Sequence, residues 1–402
     1  MLFLAGMAVA VCGWAQKKNF DYSFYGQVRA DLFYNTRANV ETVDGLFYMY
    51  PKDVSPDADG KDLNATPGGN FYVLYTRLGM DLKGPALGKA RTSAKVEVDF
   101  RGSGTSFSTI RVRQAYVRLD WARASLLVGQ TWHPLFGDVS PQLLNLSTGA
   151  PFQPFSRAPM VRYQQRWGAA RLTAAAVWQS QYLSAGPAGK SQNYLKNSGV
   201  PEFYVGADYI KDGWTVGAGA EMLSLTPRTQ STVDERTYKV KERVTSFSGE
   251  AHAKYVGHGW MVAAKTLLAS NLTHTSMLGG YGISKVDVRT GEQQYVPLKH
   301  SSTWVNVVYG KRWKAGAFGG FVKNLGTNKA LASATLYGTG TDVDRLGTGG
   351  AELTYNLPHW KVGVEYMFSR ACYGKPSLKD GRVGQTHGVN NHRTVVSALY
   401  MF

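Results

Sequence analysis

The sequence predicts an all-β protein, a transmembrane antiparallel β-barrel of about sixteen strands with one loop folded into its lumen. Three observations lead there. Segments in which every second residue is apolar recur along most of the 402 residues. The connections between these segments alternate between short and long. The chain also stops on such a segment, Val395-Val396-Ser397-Ala398-Leu399-Tyr400-Met401-Phe402, where a soluble chain usually frays into polar residues. The last strand of a barrel must seal against the first and so stays ordered to its end.

Composition supports the barrel and removes rivals. No long apolar run follows the N-terminus and the mean hydropathy is −0.25, which excludes helical spans. Alternating strands average to near-neutral hydropathy, as here. Forty-five Gly, 23 Tyr and 10 Trp with 18% charged residues suit a β-protein rich in interface aromatics. The net charge of +17 comes from basic residues that sit singly among acids, a pattern that argues against nucleic acid. It leaves contact with lipopolysaccharide or an electropositive lumen.

Residues 1–15 are an apolar run ending in Gly13-Trp14-Ala15, a small-x-small cleavage pattern, and are expected to be a secretory signal peptide. They are too short to span a bilayer, which takes about 20 apolar residues. Val11 before Cys12 is too large for a lipidation site. Residues 16–402 then form the barrel, with Cys372 as its single cysteine and no internal disulfide.

The strands follow in order. The first, 22–35, sets Tyr22, Phe24, Val28 and Leu32 against Ser23, Gln27, Arg29 and Asp31. The second, 72–82, sets Leu74, Leu78, Met80 and Leu82 against Arg77 and Asp81. In the third, Ala94, Val96, Val98 and Phe100 alternate with Lys95, Glu97, Asp99 and Arg101. A charge at every second position needs water on that face, because at mid-depth in lipid it costs about 2–4 kcal/mol. Further strands are expected near 107–121, 123–132, 158–167, 169–180, 201–211, 213–225, 240–256, 258–269, 301–311, 313–324, 346–356, 359–370 and 390–402. Short connections such as Asp212-Gly213, Gly257-His258 and Lys311-Arg312 alternate with long ones at 38–69, 133–157, 181–200, 226–238, 270–299, 325–345 and 371–389, with 102–106 a brief exception. Short periplasmic turns against long external loops characterise outer-membrane barrels. An even strand count returns the chain to its starting side, so both termini are expected in the periplasm. Tyr22, Phe24, Tyr34, Trp121, Trp132, Trp167, Trp178, Trp214, Trp260, Trp313, Trp360 and Tyr400 lie near strand ends, where interfacial girdles form.

The third long connection, Trp132-His133-Pro134-Leu135-Phe136-Gly137-Asp138 onward, is unusually apolar, with Leu143, Leu144, Leu146, Phe152 and Phe155. A loop in water is normally polar. The nearest burial site is the lumen, so residues 137–155 are expected to enter the pore and narrow it. An external loop packed on its neighbours or on another protomer is the competing reading.

Ile110-Arg111-Val112-Arg113-Gln114-Ala115-Tyr116-Val117-Arg118-Leu119, followed by Leu126-Leu127-Val128-Gly129-Gln130-Thr131-Trp132-His133-Pro134-Leu135, resembles the fourth and fifth strands of the phosphate-selective and DcaP-like porins. Phe24-Tyr25-Gly26-Gln27-Val28-Arg29-Ala30-Asp31 is similar to the DcaP-like opening strand. The resemblance covers roughly the first third of the chain. It implies a trimeric sixteen-stranded outer-membrane porin with its third loop in the channel, accepting dicarboxylates and other small anions. It also implies that the assembly machinery reads the terminal Phe402.

Parity assigns Arg29, Arg77, Lys95, Glu97, Asp99, Arg118, Asp120, Arg162 and Arg166 to the lumen, with Asp138 in the third loop, as pore-lining candidates. A like-charged ring at a constriction would select ions. Arg111 and Arg113 fall on the parity of lipid-facing Ala115, Val117 and Leu119, which a bulge, the outer rim or a subunit interface would each explain. Asp57-Ala58-Asp59-Gly60-Lys61-Asp62 spaces carboxylates as a Ca²⁺ loop does, but lacks the bidentate Glu at the twelfth position and reads better as a solvated turn. The eight histidines are dispersed, with no nucleophile elbow and no HExxH, so neither catalysis nor a cofactor or metal is expected. The reading is a passive porin for small hydrophilic solutes with a modest preference for anions. Its lasting surroundings are lipid and lipopolysaccharide. The alternative is a non-conducting barrel acting as an adhesin or structural anchor. Alternation predicts that Val98→Arg impairs assembly while Glu97→Arg is tolerated, to be read from heat-modifiable mobility in detergent.

Overall fold

The computed structural model describes residues 20–41, 45–101 and 109–402. The expected signal peptide and the brief 102–106 connection lie outside these residues. Sixteen antiparallel strands close into one barrel: β1 (Asp21–Asn35), β2 (Arg77–Leu87), β3 (Ala90–Asp99), β4 (Arg111–Asp120), β5 (Ala124–Trp132), β6 (Arg157–Trp167), β7 (Ala170–Val177), β8 (Glu202–Lys211), β9 (Trp214–Leu225), β10 (Val244–Gly257), β11 (Trp260–Ser270), β12 (Gln293–Gly310), β13 (Trp313–Gly326), β14 (Val343–Asn356), β15 (Trp360–Pro376) and β16 (Val383–Met401). The same sheet carries three short additions on the long-loop rim. Gly68–Tyr72 flanks β1, and Gly279–Val286 pairs with both β12 and Leu336–Thr339.

Closure falls on the C-terminal strand. β1 and β16 pair from Gln27↔Met401 to Asn35↔Arg393. Gly26 and Phe402 then exchange backbone hydrogen bonds of 2.9 and 3.1 Å, so the ladder runs to the last residue. Gly26 is required here, because a Cβ would come within 2.7 Å of both the Phe402 ring and the Arg77 carbonyl oxygen.

The short turns share one end of the barrel. Asp212-Gly213 and His258-Gly259 each have positive φ at both residues, the mirror-image turn whose twist matches a two-residue hairpin. At the same end Trp214 meets Tyr255 at 4.9 Å, Trp260 meets Tyr309 at 4.4 Å, Trp313 meets Tyr355 at 4.9 Å and Trp360 meets Tyr400 at 4.9 Å. This repeated cross-strand pairing of exposed tryptophans with exposed or half-buried tyrosines forms a girdle beside the turns. Between the two ends the outer face is apolar, with Val28, Leu32, Val96, Val117, Val205, Val262 and Val396 exposed. In a water-soluble sheet such a band would be unsupported; a lipid surround accounts for it.

Three expectations need correction. Residues 371–389 are not a long loop: β15 and β16 continue past the apolar band and leave only 377–382 between them. Their outer halves lie beyond lipid, so alternation gives no signal there. For the same reason β12 starts at Gln293 rather than near 301. Trp132 is not a girdle residue, since its ring stacks on Phe136 at 4.1 Å, inside the barrel. Deleting Phe402, or substituting Gly26→Leu to displace its ring, should lower the folded fraction after refolding into detergent. Unchanged heat-modifiable mobility in both variants would contradict this account of closure.

Candidate functional site

The third loop, 133–156, folds into the lumen and crosses to the far wall. It starts with a tight turn, Phe136 N–H to the His133 carbonyl at 2.9 Å, with Gly137 at φ 59°. Its apolar residues meet inward-facing side chains of the far wall: Phe136, Val139, Leu143, Phe152 and Phe155 pack with Trp304, Phe318, Val322, Leu346 and Met367. Gly320 on β13 leaves the space that Phe152 fills, since a Cβ would lie 2.5 Å from its ring.

Burying a loop inside a barrel also buries its backbone polar groups, each of which needs a partner. Far-wall side chains supply them. Gln142 N–H donates to Asn306 Oδ1 at 2.7 Å, Asn145 N–H to Glu365 Oε2 at 3.0 Å, and Leu144 N–H to Glu352. Ser302 Oγ donates to the Phe152 carbonyl at 2.8 Å, Trp304 Nε1 to Gln153 Oε1 at 2.7 Å, and Lys265 Nζ to the Leu135 carbonyl at 2.7 Å. From the near wall Arg29 reaches the Leu144 carbonyl at 2.9 Å.

A second intrusion was not expected from the sequence. Leu46, Phe47, Tyr48, Met49 and Tyr50 of the first loop are all buried. The Leu46 carbonyl accepts from Asn145 Nδ2 and Ser147 Oγ, both at 2.9 Å, so the two loops brace each other. Arg393 of β16 lies over the Phe33 and Tyr48 rings at 4.8 and 4.4 Å. The signal was present as five consecutive apolar or aromatic residues within an otherwise polar connection.

The candidate lining residues separate into two groups. On the near wall Glu97 pairs with Arg113 at 2.7 Å and with Arg77 at 3.8 Å, while Asp99 pairs with Arg111 at 2.7 Å and Arg113 at 2.8 Å. A bulge opposite Glu97 and Val98 turns Arg113 and Arg111 inward, because Glu97 faces Gln114 while Val98 faces Val112. That settles the three alternatives left by parity. Arg29 pairs with Asp31 at 2.7 Å, and Lys95 with Asp81 at 2.9 Å. Arg29, Glu97 and Asp99 are thus buried in ion-pair networks rather than open to solute. Arg157 is also fully buried, with its guanidinium over the Trp132 ring at 4.8 Å and donating to Tyr182 Oη at 3.0 Å.

The second group is open. Arg91, Arg118, Asp120, Gln164 and Arg166 line a hollow at the short-turn end, where Arg118 pairs with Asp120 at 2.8 Å. An adjoining hollow under the third loop is lined by Asp138, Arg162, Arg171, Asp208, Glu250 and His252. There Asp138 pairs with Arg171 at 2.6 Å.

The acidic run of the first loop serves its own turn. Asp57 Oδ1 accepts the Asp59 and Lys61 N–H groups, both at 2.8 Å. Asp62 accepts from Ser55 and Asn64 and pairs with Arg37 at 2.7 Å; the Ser55 N–H foremost, then Arg37, holds its carboxyl below the usual range.

No family model matches the chain, and no curated protein matches it. Solved structures do. The outer-membrane channel DcaP of Acinetobacter baumannii superposes with a TM-score of 0.70 at 19% identity, over 96% of this chain and 99% of that one. The fold is that of the porins. The trimer form of OmpT from Vibrio cholerae gives 0.55 at 14% identity, over 96% and 100% of the two chains. Salmonella typhi OmpF gives 0.53 at 14% identity, over 95% and 97%.

The near-wall network overturns one sequence expectation. Glu97→Arg would set a third guanidinium between Arg77 and Arg113 in a buried site, so it should fail to fold rather than be tolerated. Glu97→Gln, which removes one partner of a buried pair, should cost about 3–5 kcal/mol. Urea unfolding in detergent micelles measures this, and a loss below about 1 kcal/mol would contradict the assignment.

Proposed function

We propose that this protein is an outer-membrane porin through which small hydrophilic solutes diffuse passively, with a modest preference for anions such as dicarboxylates. The observation that carries the reading is the third loop crossing the lumen above a basic hollow at the short-turn end, lined by Arg91, Arg118, Arg123 and Arg166 around Asp120. A barrel serving only as an anchor has no need of a loop held by its far wall. Residues 137–155 narrow the channel, and the pore runs past Arg118, Asp120, Arg162, Arg166 and Asp138. Arg77, Lys95, Glu97, Asp99 and Arg29 act one layer back, fixing the wall and the loops.

The anion preference rests on the pairing of charges. Inner-wall acids are largely engaged: Asp31 by Arg29, Glu97 and Asp99 by arginines, Asp208 by Arg171, Glu250 by Lys265, and Glu352 by loop backbone. Among the described residues, Arg91, Arg162, Arg166, Lys314 and Lys361 have no carboxylate within ion-pair distance. A cation surplus in a narrow aqueous passage concentrates anions.

The protein is read as a homotrimer in the outer membrane, by likeness to the trimeric OmpT and to the sequence resemblance described above. Lipopolysaccharide would face its outer rim, both termini would lie in the periplasm, and Phe402 would be read during assembly. No catalysis is assigned.

Planar-bilayer recording tests the reading. Removing 137–155 should enlarge single-channel conductance, and reversal potentials in dilute KCl should report anion preference. Arg162→Glu with Arg166→Glu should shift selectivity toward cations. The preference should fade in concentrated salt, as the Debye length falls from about 30 Å at 0.01 M to about 3 Å at 1 M. A cation-selective wild type would overturn the selectivity claim, an unchanged conductance the constriction claim, and an absence of conductance would favour a non-conducting anchor.

A further inference from the structure

Three side chains distant in sequence meet at the root of the third loop. His133 opens that loop, Glu202 opens β8, and His274 sits in a single 3₁₀ turn, Thr273–Thr275, of the sixth loop. All three are buried, at 0%, 0% and 2% exposure, and one ligand atom from each lies within 4.8 Å of the others. We propose that His133, Glu202 and His274 bind a divalent cation of borderline softness, Zn²⁺ foremost, which ties the third loop to the sixth.

The polar geometry favours an ion over a hydrogen-bonded triad. His133 Nε2 meets Glu202 Oε1 at 2.8 Å. His274 Nε2 approaches Glu202 Oε2 to 2.9 Å, yet the angle gives no hydrogen bond, and both atoms are left without a partner. Glu202 Oε2 and His274 Nε2, side by side without a hydrogen bond in a buried site, are an arrangement that a bound cation would satisfy.

Charge points the same way. Glu221 of β9, 2% exposed, lies close enough for its carboxylate to interact with that of Glu202. Among the described residues neither acid has a lysine or arginine partner. A buried carboxylate with no lysine or arginine beside it is costly, and a divalent cation on Glu202 supplies the missing positive charge. The surroundings are apolar: Leu135, Tyr204, Leu272 and Met277, on the same three stretches of chain, belong to one buried cluster.

The donor set selects the metal class. Two imidazole nitrogens and one carboxylate oxygen suit Zn²⁺ and its neighbours, whereas Ca²⁺ and Mg²⁺ require oxygen. Coordination at His133 Nε2 displaces its proton to Nδ1 and gives up one long bond, Leu135 N–H to Nδ1 at 3.2 Å. The sealed position implies loading during folding and slow exchange afterwards.

The test is to refold the full chain into detergent with Zn²⁺, with Co²⁺, or with chelator, then remove free metal and measure what remains bound. The wild type should retain one Zn²⁺ per chain, gain thermal stability over the chelator-refolded sample, and show the strong visible bands of low-coordinate Co²⁺. His274→Ala and Glu202→Gln should each lose the retained ion and the metal-dependent stabilisation. Equal retention in wild type and variants would overturn the proposal, since ions on exposed histidines would then account for it. So would a wild-type Co²⁺ spectrum like that of the hydrated ion, a readout that holds even where a variant fails to fold.

Discussion

A polar backbone segment inside a barrel must find partners there, and the rest of this structure depends on how that requirement is met. Water satisfies loops that stay outside. Here two loops enter the lumen, and the walls provide for them with Asn306, Glu352, Glu365, Ser302, Trp304 and Lys265 on one side and Arg29 and Arg393 on others. These residues lie far apart in sequence and come together only when the barrel closes. Loop placement and closure are therefore coupled.

The same requirement shapes the charge pattern. A lumen read as strings of alternating charge suggests a wall solvated throughout. In the structure, the acids are divided between binding loop backbone and pairing with arginines, while several basic residues near the short-turn end face open hollows. The net charge of +17 is thus expressed unevenly along the passage. The bulge beside Glu97 contributes to this, because it brings two additional arginines onto the inner face.

The barrel was legible because lipid imposes a period-2 signal on every stretch that crosses it. Strand number, the alternation of turn lengths and the role of the terminal strand followed from that signal. It disappears where lipid ends, which is why the outer halves of β15 and β16 read as a loop: a bulge between Tyr373 and Lys375 shifts the register there, and the two strands pair again at Lys375↔Gly384 and Pro376↔Val383. Burial of the third loop was legible from its own apolar content. The first-loop segment Leu46–Tyr50 carried the same signal in a shorter form. Burial at Glu97 is not legible, since alternation assigns a face and says nothing about whether that face is wet. The meeting of His133, Glu202 and His274 had no local signal, because their proximity follows from closure.

Constriction and selectivity both depend on the third loop being held within the lumen. In a background lacking Cys372, Leu144→Cys places a thiol on the loop where it crosses to the far wall, and Val288→Cys places one on an exposed loop. Labelling both with a membrane-impermeant maleimide in the folded protein measures the claim directly. Position 288 should label rapidly and position 144 should stay protected until the barrel is denatured. Equal rates at the two positions would contradict it.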